Sequence, residues 1–277
     1  MTRYNKIWND LEKKKKPINI RKIKTINNKK FYDLIDSNSP KINEIIEDLY
    51  HGDFYLIKKS ISKKYLNNLK SKLINYSKKE KSSFYKMLDG CPNFWRRQDE
   101  NIAKKYSFQS VRDSYYFFRW NKENFSVWKN FNKIWKYVKF LSGLKKNEWY
   151  SNKPRDIIID RIQVVRYLKN TGHTEPHTHG VDNQRIILAI YMSKVKKDYS
   201  SGGTYFFKNK KKINVEEYID VGDVGLFYGS LKHGVDKAKI DDKIKASNKL
   251  IEGRWWCGLY SPESNHKKNR HTSKPSK

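Results

Sequence analysis

The feature that most narrows the fold of this chain is a change of periodicity at Asp156. Downstream of it, short runs rich in β-branched and aromatic residues follow one another: Ile157 to Ile159, Ile162 to Tyr167, Ile186 to Met192, Thr204 to Phe207, Val224 to Tyr228 and Trp255 to Tyr260. Turn residues, glycine among them, separate these runs, so strands read better than helices. Closely spaced strands of this kind predict a β-sandwich or barrel of jelly-roll type over about 156–260.

Upstream the pattern is mixed. Phe54 to Ile57 reads as a short strand. Ser62 is a candidate N-cap for a helix whose apolar positions Tyr65, Leu66, Leu69, Leu73 and Ile74 recur at helical spacing. Phe125, Trp128, Phe131, Trp135, Val138 and Leu141 form an aromatic stripe that predicts one helix packed on a sheet. The segment 84–120 reads as aromatic and irregular. These signals divide the chain into a basic N-terminal extension or helical cap over 1–50, a main domain over 51–260, and a basic disordered tail over 261–277.

Composition excludes several classes. Only 37% of the 277 residues are hydrophobic, but 14% are aromatic, and large rings allow a sizeable core. The N-terminus has no apolar segment and no run approaches 18 apolar residues, so a membrane role is not expected. Cys91 and Cys257 alone support neither a disulfide framework nor a thiolate metal site; a reducing, cytoplasmic setting fits. The net charge of +31 attracts polyanions. Its carriers are scattered and mostly lysine, whereas base and phosphate recognition favours the guanidinium fork, so nucleic acid is not expected as a specific partner.

The chemistry concentrates in Glu175-Pro176-His177-Thr178-His179, a lone His233 and Arg254. Residues i and i+2 of a strand share a face, so His177 and His179 can reach one metal ion, with His233 completing the set from a strand across the barrel. Three ligands on one face leave open positions for a co-substrate and oxygen. Asp182 or Glu175 could replace one histidine, the latter within His173-Thr174-Glu175. Arg254 begins an aromatic strand in which it shares a side with Trp256, Gly258 and Tyr260, a setting suited to gripping a carboxylate. Tyr167 and Gln163 share a strand face and could line the same pocket.

The order of these parts resembles the Fe(II)- and 2-oxoglutarate-dependent dioxygenases, in their prolyl-hydroxylase-like and phytanoyl-hydroxylase-like branches. Arg166-Tyr167-Leu168-Lys169 with a delayed Gly172 resembles the family's Tyr-x-x-Gly; Pro176 to His179 resembles Pro-His-x-Asp. Arg185 to Met192, Gly202 to Phe207, and Gly222 to Phe227 before His233 resemble the strands that follow, and Arg254 stands where the family has a basic residue. The likeness covers about 156–260 and, more weakly, 54–75.

The resemblance implies a double-stranded β-helix, iron held by His177, His179 and His233, and 2-oxoglutarate held by Arg254 with Tyr167. It also implies hydroxylation of a C–H bond in a small polar metabolite or a peptide side chain, using O2. His179 departs from the pattern, which has Asp or Glu there, and an imidazole in that place leaves the metal one unit more positive. The loop Lys237 to Gly253 is long enough to be a lid or an insertion. A noncatalytic jelly-roll binding protein is the alternative from another class. A nucleic-acid demethylase is disfavoured because no second arginine follows Arg254 closely.

Overall fold

A run of strands whose residues are buried on both faces organises the molecule. The computed structural model describes residues 2–240, 252–270 and 273–275. Its strands form two facing layers. The larger layer runs in the order β1 (Ile23–Asn27), β2 (Phe54–Lys58), β10 (Val224–Tyr228), β7 (Ile186–Tyr191), β12 (Arg254–Tyr260), β5 (Arg161–Tyr167) and β4 (Ser110–Phe118), with β3 (Phe94–Gln98) also paired to β4. The smaller layer comprises β6 (His173–Thr178), β11 (His233–Lys239), β8 (Ser201–Lys208) and β9 (Lys211–Asn214). β4 joins the layers, since its Ser110 and Val111 pair with Thr174 and His173 of β6. This is the expected double-stranded β-helix with helical support.

Strand alternation sorts the two cores. On β7, Ile186, Leu188 and Ile190 face the helices α1 (Arg3–Glu12), α2 (Asn28–Asp36), α3 (Lys41–Tyr50), α4 (Lys63–Lys79) and α6 (Val127–Leu141), whose apolar faces close over the larger layer. Ile187, Ala189 and Tyr191 face inward, against Phe54, Phe206 and Phe227. A strand covered on both sides carries apolar residues continuously, as this one does. Ser62 caps α4 by accepting the Tyr65 N–H at 3.3 Å, and the aromatic stripe lies on α6 from Trp128 onward, with Phe125 preceding the helix.

Four expectations need correction. Residues 3–50 do not stand apart as an extension. Tyr4 and Trp8 are fully buried, Trp8 Nε1 donates to the Leu141 carbonyl at 2.8 Å, and Arg185 pairs with Glu12 at 2.9 Å. Lysine runs mask their apolar spacing in the sequence. The tail is also ordered where it is described: Ser261, Glu263 and Ser264 are buried, and β13 (Lys274–Pro275) pairs with β6. Finally, the segment expected to be irregular contains β3 and β4. Tyr115-Tyr116-Phe117-Phe118 shows no polar–apolar alternation because rings occupy both faces. Ile157 to Ile159, by contrast, forms no strand; it follows a 3-10 turn over Pro154–Asp156. Of the loop from Lys237 to Gly253, residues 241–251 lie outside the described residues. Among the described residues no helix is long and apolar enough to cross a membrane.

Leu188 is fully buried at the centre of the larger layer. Leu188→Ala should cost about 2–5 kcal/mol, read as a lower urea midpoint with an unchanged m value.

Candidate metal centre and ligand cavity

Antiparallel pairing of β6 with β11 places His177 directly opposite His233. Directly opposed residues project to the same face with closely spaced Cβ atoms, so these two imidazoles meet by register alone. His233 therefore comes from the adjacent strand rather than from across the barrel as expected. His179, two residues beyond His177, returns to the same face. The ring centroids lie 4.4 Å (His177–His233), 5.0 Å (His177–His179) and 5.1 Å (His179–His233) apart. One potential ligand atom from each lies within 4.8 Å of the other two.

Backbone and packing set the tautomers. His177 Nδ1 donates to the Glu175 carbonyl and His233 Nδ1 to the Leu231 carbonyl, each at 2.9 Å, which leaves both Nε2 lone pairs for a metal. His179 Nδ1 bonds Ser273 Oγ at 2.9 Å, a residue just before β13. Phe108 stacks on His177 at 4.8 Å, while Phe206 and Phe227 flank His233. Burial holds His177 well below its ordinary pKa, helped by the other two histidines, and burial likewise holds His179 well below. Burial lowers His233 to about 4. All three are neutral imidazoles at physiological pH, the form that ligates metals.

The alternative carboxylates are not in this group. Glu175 turns away to accept the Gln109 N–H at 2.6 Å, and Asp182 lines the cavity without joining the histidines. His173 bonds the Thr171 carbonyl through Nδ1. Among the described residues the cluster is therefore three histidines.

Arg254 lies on the wall of the same cavity of about 410 Å³ and is 2% exposed. Its Nε and Nη2 donate to Glu216 Oε1 at 2.9 and 2.6 Å, and Nη2 also donates to Thr204 Oγ1 at 2.5 Å. Nη1 is buried and has no protein acceptor among the described residues. Burial by itself would lower this guanidinium, but Glu216, Tyr199 and Tyr167 outweigh it and raise its pKa, so the charge is permanent. Glu216 is held in turn by the Thr204 N–H at 2.6 Å and the Tyr199 hydroxyl. Its approach depends on Gly203, at φ +91°, where a Cβ would come 2.5 Å from Glu216 Cγ. Tyr167, also a cavity residue, bonds Thr174 Oγ1 at 2.9 Å, and its ring centroid lies 5.6 Å from Arg254 Cζ. Gln163 lines the cavity and donates to Ser114 Oγ at 3.2 Å.

Sequence reasoning missed Glu216, Ser273, Arg112 and Arg161, the last two also on the cavity wall. The polar residues at Arg112 and Arg161, on the inward faces of β4 and β5, were the available signal for those two. Nothing in the local sequence marks Ser273 or Glu216 as partners of residues so distant in the chain.

The buried Arg254–Glu216 pair generates a stability prediction. Removing one partner strands a buried charge, so Glu216→Ala should cost on the order of 3–5 kcal/mol. Glu216→Ala combined with Arg254→Met should recover part of that loss, checked by urea unfolding of both variants.

No family model matches this chain, and no curated protein matches it. Solved structures do. A prolyl hydroxylase from Trichoplax adhaerens, solved with a hypoxia inducible factor oxygen degradation domain peptide fragment, is similar at TM-score 0.51 and 12% identity over 83% of this chain and 92% of that one. A C-terminally truncated Neurospora crassa protein in apo form is similar at TM-score 0.51 and 13% identity over 86% and 93%. The full-length form of that Neurospora crassa protein, in complex with alpha-KG, gives TM-score 0.50 and 12% identity over 88% and 85%. The resemblance first drawn from motifs thus extends to the whole architecture: this chain has the fold of these solved structures.

Proposed function

We propose that this protein is an Fe(II)- and 2-oxoglutarate-dependent oxygenase that hydroxylates a C–H bond of a small polar molecule or a peptide side chain. The observation that supports this most is one cavity containing both three neutral, convergent imidazoles and a buried guanidinium nitrogen without an acceptor among the described residues.

The residues fit the groups. His177, His179 and His233 would hold the iron as neutral donors, and imidazole is a good ligand for it. Arg254 would bind the distal carboxylate of 2-oxoglutarate through Nη1, with Tyr167 beside it. When bound, iron and 2-oxoglutarate supply oxygen activation, with succinate and carbon dioxide as co-products. The chain's own tasks are orientation and exclusion of water. The Glu216 carboxylate and Thr204 hydroxyl lock the Arg254 fork, so its free edge needs no reorganisation. Phe108, Phe206 and Phe227 pack the histidine rings against rotation. Ser273 and the Glu175 and Leu231 carbonyls orient the three imidazoles.

The absence of a carboxylate from the histidine cluster favours a second reading, a noncatalytic jelly roll that binds metal for structure or ligand capture. The two readings separate on turnover. Anaerobic protein with ferrous iron and 2-oxoglutarate should bind one iron and develop a weak visible charge-transfer band. Admitting air should then yield succinate. His177→Ala and His233→Ala should each lose stoichiometric iron. Arg254→Met should retain iron but weaken 2-oxoglutarate about tenfold or more, the magnitude of a lost charge-assisted hydrogen bond. Iron binding without succinate formation would select the noncatalytic reading, and a protein that takes up no iron defeats both.

A further inference from the structure

The cavity is basic in a way that the rest of the chain is not. Of the 60 basic residues only twelve are arginine, yet among the described residues all five that line the cavity are arginines: Arg96, Arg112, Arg161, Arg254 and Arg270. Asp182 is the one carboxylate among the cavity's described lining residues. Lysine runs cover the surface, but among the described residues no lysine contributes to this wall.

Arg254 is paired with Glu216. Arg112 and Arg161 have no carboxylate partner among the described residues, although Arg112 bonds the Tyr167 phenol. They extend from the inward face of adjacent strands, where Phe118 opposes Arg161 and Tyr116 opposes Gln163. Arg161 Cζ lies 5.4 Å from the ring centroids of both Tyr116 and Tyr260. Arg112 lines the same cavity wall, and both cations oppose the burial that raises the Tyr260 pKa. Arg161 donates to Gln163 Oε1 at 3.2 Å and reaches Met87 Sδ at 3.9 Å, neither of them an anion. Most telling, the Nε atoms of Arg112 and Arg161 are buried and have no acceptor among the described residues. Burial lowers the Arg161 pKa, and the nearby positive charges of Arg270 and Arg112 add to the effect, although Tyr116 and Tyr260 oppose it.

Two desolvated guanidinium forks that face one cavity with no carboxylate partner among the described residues are costly, and an oxyanion that accepts from both removes that cost. We propose that the Arg112–Arg161 side of the cavity binds the oxyanion, carboxylate or phosphate ester, of a small organic acid whose apolar body lies against Tyr116, Tyr260 and Phe108. Assigning that acid as the substrate rests on the oxygenase reading; the anion site itself does not. A cavity of about 410 Å³ lies toward the small end of the ligand-site range, which suits a small acid beside 2-oxoglutarate.

The test is calorimetric titration of the full chain with benzoate, phenyl phosphate and benzamide, the last a neutral match in shape. It is performed on metal-free protein and on protein loaded anaerobically with iron and 2-oxoglutarate. At least one of the two anions should bind tenfold or more tightly than benzamide, and the tighter one identifies the oxyanion. Arg112→Gln and Arg161→Gln should each weaken that anion about tenfold, and Arg161→Gln should change 2-oxoglutarate affinity less than twofold. Equal binding of benzamide, or no binding of either anion to the wild type, overturns the proposal. So does a Gln variant that weakens 2-oxoglutarate instead, since that arginine would then belong to the co-substrate. The wild-type comparison does not depend on whether the variants fold. If the loaded protein takes up no iron or 2-oxoglutarate while metal-free protein selects the anion, the oxygenase reading fails and the anion site stands.

Discussion

The site depends on one register. β6 and β11 pair antiparallel with His177 opposite His233, and everything proposed about metal binding follows from that alignment. A slip of one residue would turn one imidazole to the opposite face and disperse the cluster, because side chains alternate with a period of two. The register is guarded from both sides. β11 also pairs with β8, where His233 opposes Phe206, and β6 is bound along its other edge by β4 and β13. Backbone carbonyls then hold the His177 and His233 rings through Nδ1. The rings are therefore fixed by strand pairing before any ion arrives, and their burial keeps them neutral.

A second constraint is the distribution of buried charge. The motif that resembles His-x-Asp has an imidazole in the acidic place, while a buried carboxylate, Glu216, sits against Arg254. A lone Arg254 in that position would be a desolvated cation facing aromatic rings, and Glu216 offsets this while leaving Nη1 without an acceptor among the described residues. Arg112 and Arg161 have no such carboxylate partner among the described residues. The same cavity thus contains one guanidinium neutralised by the protein and two whose buried Nε atoms await an acceptor. That contrast distinguishes a framework pair from groups set aside for a ligand.

Much of the architecture was legible from local patterns. The apolar runs of β5, β7, β10 and β12, the Ser62 cap and the aromatic stripe of α6 all announce their elements through short-range chemistry. β4 was not legible, because rings on both faces erase alternation. Nor was the integration of residues 3–50: Trp8 and Tyr4 look like isolated aromatics among lysines until α1 meets the Leu141 carbonyl and Tyr228. In both cases the missing information is what covers the second face, which a linear pattern does not contain.

For the site, the residue types and their order were determined by the sequence alone. An i, i+2 histidine pair shares a face by strand geometry, and Arg254 shares its face with Trp256 and Tyr260 for the same reason. Only the tertiary structure decided that His233 is the cross-strand neighbour of His177 and that Glu175 turns toward Gln109. It also decided that Ser273 orients His179 and that Glu216 locks Arg254. These are contacts between residues far apart in the chain, set by sheet order and register. Periodicity specifies which side of a strand a residue occupies, but the identity of its neighbour across the sheet depends on how the whole chain pairs.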